Sequence, residues 1–142
     1  MDQRHEDHHG WFTIVDPPLL GKPRGSSHGL LAPPGSRLLF VAGQTAAGAD
    51  GRILHRGFTP QFEEALARVL TVVESAGGTP AHIGRMTVFV TNLDEYLASR
   101  HALGDVWARR MRGHYPAMAL VEVTRLVDEG AMVEIEATGV IP

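Results

Sequence analysis

The chain reads as an α+β protein in which a small sheet carries two helices on one of its faces. Three observations predict this. Strand-length apolar runs occur at 37–42 and 86–91, amphipathic stretches with helix-start signals follow them, and two alternating segments near the C-terminus, HYPAMALVEV and AMVEIEATGV, are joined by RLVDEG. From residue 26 the order is strand, strand, helix, strand, helix, strand, strand. Each helix needs an apolar surface to cover, and only the sheet offers one.

Composition narrows the function classes. At 142 residues the chain fits one domain, large enough for a core yet short enough for a site to be completed by another subunit. Hydrophobic residues make up 44% and charged residues 20%, and the formal charge of -3 argues against a polyanion-binding surface, so no nucleic-acid partner is expected. The absence of cysteine removes disulfides, thiolate nucleophiles and zinc-thiolate sites. No apolar run approaches the ~18 residues of a membrane span, and MDQRHEDHHG lacks the apolar core of a secretion signal; a cytoplasmic protein without a membrane partner is the expectation.

Residues 1–25 are read as an N-terminal extension, partly flexible, and 26–142 as the folded domain. Within the extension the apolar run from Trp11 to Val15 is suited either to add an edge strand or to cover part of a neighbouring surface, and Pro17 and Pro18 end regular structure there. His5, His8 and His9 with Glu6 and Asp7 are donors of metal-ligand type. Nothing nearby holds their geometry, and no metal site is assigned. SHGLLA and RLLFVA read as the first strands of the domain, and GQTAAGADG as a glycine-rich loop that lacks the lysine and hydroxyl residue of a phosphate loop.

Thr59 before Pro60 predicts a helix start, and Phe62, Leu66, Val69, Val73 and Ala76 form its apolar stripe as far as Gly77 and Gly78. TPAHIG reads as a turn and MTVFVT as a strand. Asn92 with Glu95 is a capping-box variant that opens one helix over about 94–111. Leu103, Val106, Trp107 and Met111 supply its bulk, while Leu97, His101, Gly104 and Ala108 line another side. A lone histidine so placed is more often a satisfied core or interface residue than a catalyst.

The C-terminal segments are expected to pair as a hairpin after His114 and Pro116. On the last strand Val133, Ile135 and Ala137 oppose Met132, Glu134 and Glu136. The two acids then stand about 6.6–7 Å apart, a separation used by some glycosidase pairs, but no set of ring-stacking aromatics accompanies them. Because LLFVAG and MTVFVT are apolar on both sides, helices on one face leave the other with an interface-like patch, which predicts a cyclic assembly of identical chains.

RLLFVAGQ, the P-x-F-x-x-A-L helix, GRMTVFVTNLDEY, YPAMALVEV and VEIEATG, in this order over roughly Ser26 to Val140, resemble the Rid family of reactive-intermediate deaminases, also called the YjgF/UK114 family. The resemblance implies a chorismate-mutase-like α+β fold with a mixed sheet, a homotrimer with clefts between subunits, and cofactor-free hydrolysis of reactive enamines and imines such as 2-aminoacrylate. It places Tyr115, Pro116 and Ala117 on the family's Y/F-P-A motif, but Met118 where the carboxylate-gripping arginine stands. Ala42, before Gly43 and Gln44, replaces a serine; Ser26 corresponds approximately to an early tyrosine, His101 to an asparagine and Leu120 to a cysteine. Glu134 alone matches, at the position of an acid that orders or activates a water.

A thioether has no fork of charged donors for a carboxylate. With Ala42 and Leu120 it makes the implied pocket more apolar. The expected reaction is therefore hydrolysis of a small-molecule imine or enamine that is bulkier than, or differently charged from, a small 2-imino acid, with Glu134 as base or water anchor and His101 as proton donor. The alternatives are a non-catalytic small-molecule-binding or regulatory trimer and a different hydrolase on the same scaffold. Arg109, Arg110, Arg112 and Arg125 are available cations that the sequence does not place in the cleft.

Overall fold

The computed structural model describes residues 10–25 and 27–142. Its elements are β1 (Thr13–Val15), β2 (Gly29–Leu31), β3 (Arg37–Gln44), α1 (Phe58–Ser75), β4 (Ile83–Val90), α2 (Leu93–Ala98), α3 (Arg100–Met111), β5 (Ala117–Glu122) and β6 (Val133–Ile141). β1 and β2 form a small antiparallel ribbon; the main sheet runs β3-β6-β4-β5, antiparallel except for the parallel β4–β5 pair. A mixed sheet with its helices on one side is the α+β architecture the sequence predicts. Among the described residues no helix is long and apolar enough to cross a membrane.

α1 forms because its apolar residues recur every three or four positions, so that Phe58, Phe62, Leu66, Val69 and Val73 all reach the core. It starts earlier than Thr59 suggested. Gly57 is the N-cap, and the Gln61 N–H donates to the Gly57 carbonyl at 3.2 Å. Pro60 still sits in the first turn, where no donor is missed. Gln61 is buried among the apolar residues yet fully engaged: its amide donates to the carbonyls of His55 (2.9 Å) and Gly130 (3.1 Å) and accepts from the Met132 N–H (2.8 Å). One side chain thereby ties two loops to the helix.

Two expectations about the C-terminal half are corrected. The helix predicted over 94–111 is broken at Ser99 (φ -95°, ψ 0°) into α2 and α3, although the predicted cap is present, Asn92 accepting from the Glu95 N–H at 3.0 Å. The two last strands do not form a hairpin: β4 lies between them, and β5 runs parallel to β4 at the sheet edge. β6 is apolar towards the helices along its length and takes a central position between β3 and β4. Alternation reports the faces of a strand but not its neighbours.

Trp11 and Phe12 are anchored to the domain. Phe12 is buried and stacks on His114 at 6.0 Å, and the Trp11 indole donates to the Val140 carbonyl at 2.8 Å. The Trp11 to Val15 run does give a strand, but it pairs with β2 rather than with the main sheet. The histidine cluster at 5–9 lies outside the described residues.

Gln61→Ala removes three hydrogen bonds made by one buried side chain and should destabilise the fold by about 1–3 kcal/mol, read as a lowered urea midpoint with unchanged slope.

Candidate functional site

β6 alternates so that Val133, Ile135 and Ala137 are buried under the helices while Glu134, Glu136 and Thr138 point to the open face. Registers extend that division across the sheet. Glu134 pairs with Phe89, whereas Met118 and Leu120 pair with the buried Met86 and Val88. Within one chain, therefore, Glu134 lies on the open face and Met118 and Leu120 on the helix side.

Glu134 sits against an irregularity in β3, where the register shifts between Val41 and Gln44. Gly43 makes the approach possible: a Cβ there would stand 2.9 Å from Glu134 Cδ and 3.1 Å from Oε2. Ala42 is exposed, and its carbonyl accepts from the half-buried Gln44 side chain at 3.1 Å. Burial, then the negative charges of Asp128 and Glu136, push the Glu134 carboxyl above the ordinary carboxylate range. Asp128 is held nearby by a hydrogen bond from the Thr45 hydroxyl. The result is a half-buried carboxyl that gives up its proton less readily than a solvated one.

On the helix side a crevice of about 280 Å³ opens between the edge strand and α2–α3. Met118, Leu120 and Val88 form its floor and Phe62 its inner end. Tyr96, Arg100, Leu103, Gly104 and Trp107 form the helical wall, and Tyr115, stacked on Trp107 at 5.9 Å and 22°, completes it. Tyr96, from α2, and Arg100, from α3, share this wall with Trp107 across the break at Ser99.

The sequence-derived site residues thus divide into two groups. Tyr115, Met118 and Leu120 meet in the crevice; Glu134, Ala42 and Gln44 gather at the β3–β6 irregularity. His101 is exposed and does not line the crevice, and Ser26 lies outside the described residues. Arg109 and Arg110 are engaged by Glu63 at 3.3 and 3.2 Å. Sequence reasoning passed over Arg100, although Tyr96, Arg100, Leu103 and Trp107 follow the three- and four-residue spacing of one helical stripe.

A one-sided α+β sheet with an acid on its open face and an apolar crevice under its edge strand defines the class of protein. The chain belongs to the family described as Endoribonuclease L-PSP, whose profile matches residues 33–141, and which is also the Rid, or YjgF, family. A RutC family protein of Haemophilus influenzae is 29% identical over 103 residues, covering 72% of this chain and 78% of the relative. The crystal structure of the Rid family protein YyfB from Yersinia pestis, whose function is described as unknown, has a TM-score of 0.77 at 29% identity and covers 92% of this chain and 99% of that one. E. coli TdcF with bound serine has a TM-score of 0.65 at 27% identity, covering 86% and 92%.

The raised carboxyl has a definite linkage sign. Below the unfolded-chain value, about 4.3, Glu134 is protonated in both states and contributes no charge penalty; as pH rises through its raised folded value, ionisation against Asp128 and Glu136 lowers stability. Glu134→Gln should therefore melt above the parent protein at neutral pH, with the difference closing below about pH 4 in thermal melts recorded across the range.

Proposed function

We propose that this protein hydrolyses a reactive imine or enamine to a carbonyl compound and ammonia without a cofactor, in clefts formed between the subunits of a homotrimer. The observation that carries this reading is the Glu134 carboxyl, raised in pKa and seated on Gly43 at the one irregularity of β3. Family membership supports it, and so does a serine-bound relative, whose ligand is of amino-acid size.

The chemistry follows from the acid. An enamine first tautomerises to the imine by moving a proton from nitrogen to carbon. On the protonated imine, the Glu134 carboxylate accepts a proton from a water as that water's oxygen bonds to the carbon and the C=N π pair passes to nitrogen, giving a neutral carbinolamine. Glu134 then returns the proton to nitrogen, and the C–N bond breaks as the hydroxyl proton passes back to the carboxylate, releasing ammonia and the carbonyl compound. A carboxyl raised above its usual range performs these transfers better near neutral pH than a solvated one. His101 does not line the crevice of its own chain, and the proton shuttle is assigned to Glu134 itself.

One chain holds Glu134 and the crevice on opposite sides of its sheet, so a second chain must bring them together. Leu38 and Phe40 on the open face, 62% and 77% exposed, supply the apolar contact for that packing. The apolar crevice then favours a substrate bulkier than 2-aminoacrylate.

A non-catalytic ligand-binding trimer is the second reading, favoured by Met118 in place of a guanidinium. RNA cleavage, which the family description names, finds little support in a chain with a net charge of -3 and acids on its open face.

Sedimentation should show a trimer that Phe40→Glu dissociates. A parent protein that stays monomeric over a wide concentration range overturns the assembly. Ammonia release should be faster from bulky apolar imines than from 2-aminoacrylate, and inactivity on both with the trimer intact favours the binding reading. Gly43→Ala, whose new methyl displaces the Glu134 carboxyl, should lower kcat on the order of tenfold or more while leaving the trimer intact.

A further inference from the structure

The crevice lacks the guanidinium expected at position 118, yet it is not without a cation. Arg100 is the only charged residue among those that line it, and it has no ion-pair or hydrogen-bond partner among the described residues. Its neighbours along α3 differ in this respect: Arg109 and Arg110 both close on Glu63. Arg100 shares a wall with Tyr96 and Gly104, four residues to either side, and faces Met118 and Leu120 on the floor. Gly104 widens that wall, since a Cβ built there meets no atom within 4 Å.

We infer that Arg100 binds the carboxylate of the ligand from the helical wall, in the role that an arginine at position 118 would fill from the strand, and that the crevice selects anionic ligands with a large apolar or aromatic body. A guanidinium at the wall shifts the anion away from the edge strand and frees the floor at Met118 and Leu120 for apolar contact. An unpaired fork of donors fits a carboxylate bidentately. The Tyr115 ring, half exposed and stacked on Trp107, adds a flat surface for an aromatic body. As a statement about substrate, an imino acid with a bulky side chain, the inference rests on the deaminase reading; as a statement about binding it does not.

Titration calorimetry on the full chain with unreactive probes separates the two. 3-Phenylpropanoate should bind at least about tenfold more tightly than its neutral isostere 3-phenylpropanamide and than propanoate, and the preference over the amide should weaken as salt is raised. Arg100→Gln should abolish the preference for acid over amide without altering the amide's affinity, and Arg100→Lys should retain part of it. Gly104→Leu, which fills the crevice, should weaken both aromatic probes. Equal binding of acid and amide by the parent protein, or an unchanged preference in Arg100→Gln with native circular dichroism, overturns the assignment. Arg100-dependent binding without turnover on any imine leaves the carboxylate site standing and removes the deaminase reading. Turnover of bulky imino acids with KM unchanged in Arg100→Gln does the reverse.

Discussion

The parallel pairing of β5 with β4 is the constraint on which the rest depends. It sets Met118 opposite Met86 and Leu120 opposite Val88, turning both side chains towards α2–α3 and making the edge of the sheet the floor of a crevice. A slip of one residue would exchange these for Ala117, Ala119 and Val121, leaving small side chains under the helices and Met118 on the open face. The antiparallel ladder on the other side of β4 fixes Glu134 on the opposite face, through Phe89. The separation of acid and crevice is thus a property of the hydrogen-bonded register, and no rotamer change within one chain closes it.

The placement of Glu134 works against stability. A carboxyl half-buried beside Asp128 and Glu136 is poorly placed for folding, and an apolar or amide side chain there would be better tolerated. Gly43 makes the arrangement sterically possible, and the shift of register at 41–44 places the glycine under the acid. The apolar, exposed Leu38 and Phe40 on the same face raise a parallel difficulty for a lone chain, which the proposed association of identical copies would resolve by removing them from water. Buried Gln61 shows the contrasting case, a polar group whose every contact serves the fold.

Much of the fold was legible because local periodicity reports faces. The stripe of α1, the alternation of β6, the capping role of Asn92 and the strand character of 37–42 and 86–91 follow from spacing alone. The start of α1 was misplaced because a Thr-Pro pair works as well within the first turn as at its boundary, and the break at Ser99 was missed because the apolar pattern of the second helix runs through it. The hairpin expectation failed for a different reason: adjacency in sequence is only a prior on adjacency in a sheet, and β4 took the place beside β6.

By itself the sequence determined the element types, the core residues, the family, and the presence of methionine where a cation was expected, since each of these depends on residue identity and local spacing. Only the tertiary structure decided strand order, the opposite placement of Glu134 and Met118, and the approach of Arg100 to the crevice. Those relations arise from hydrogen-bond register and helix packing between segments far apart in the chain, and no local pattern encodes which ladder a strand will join.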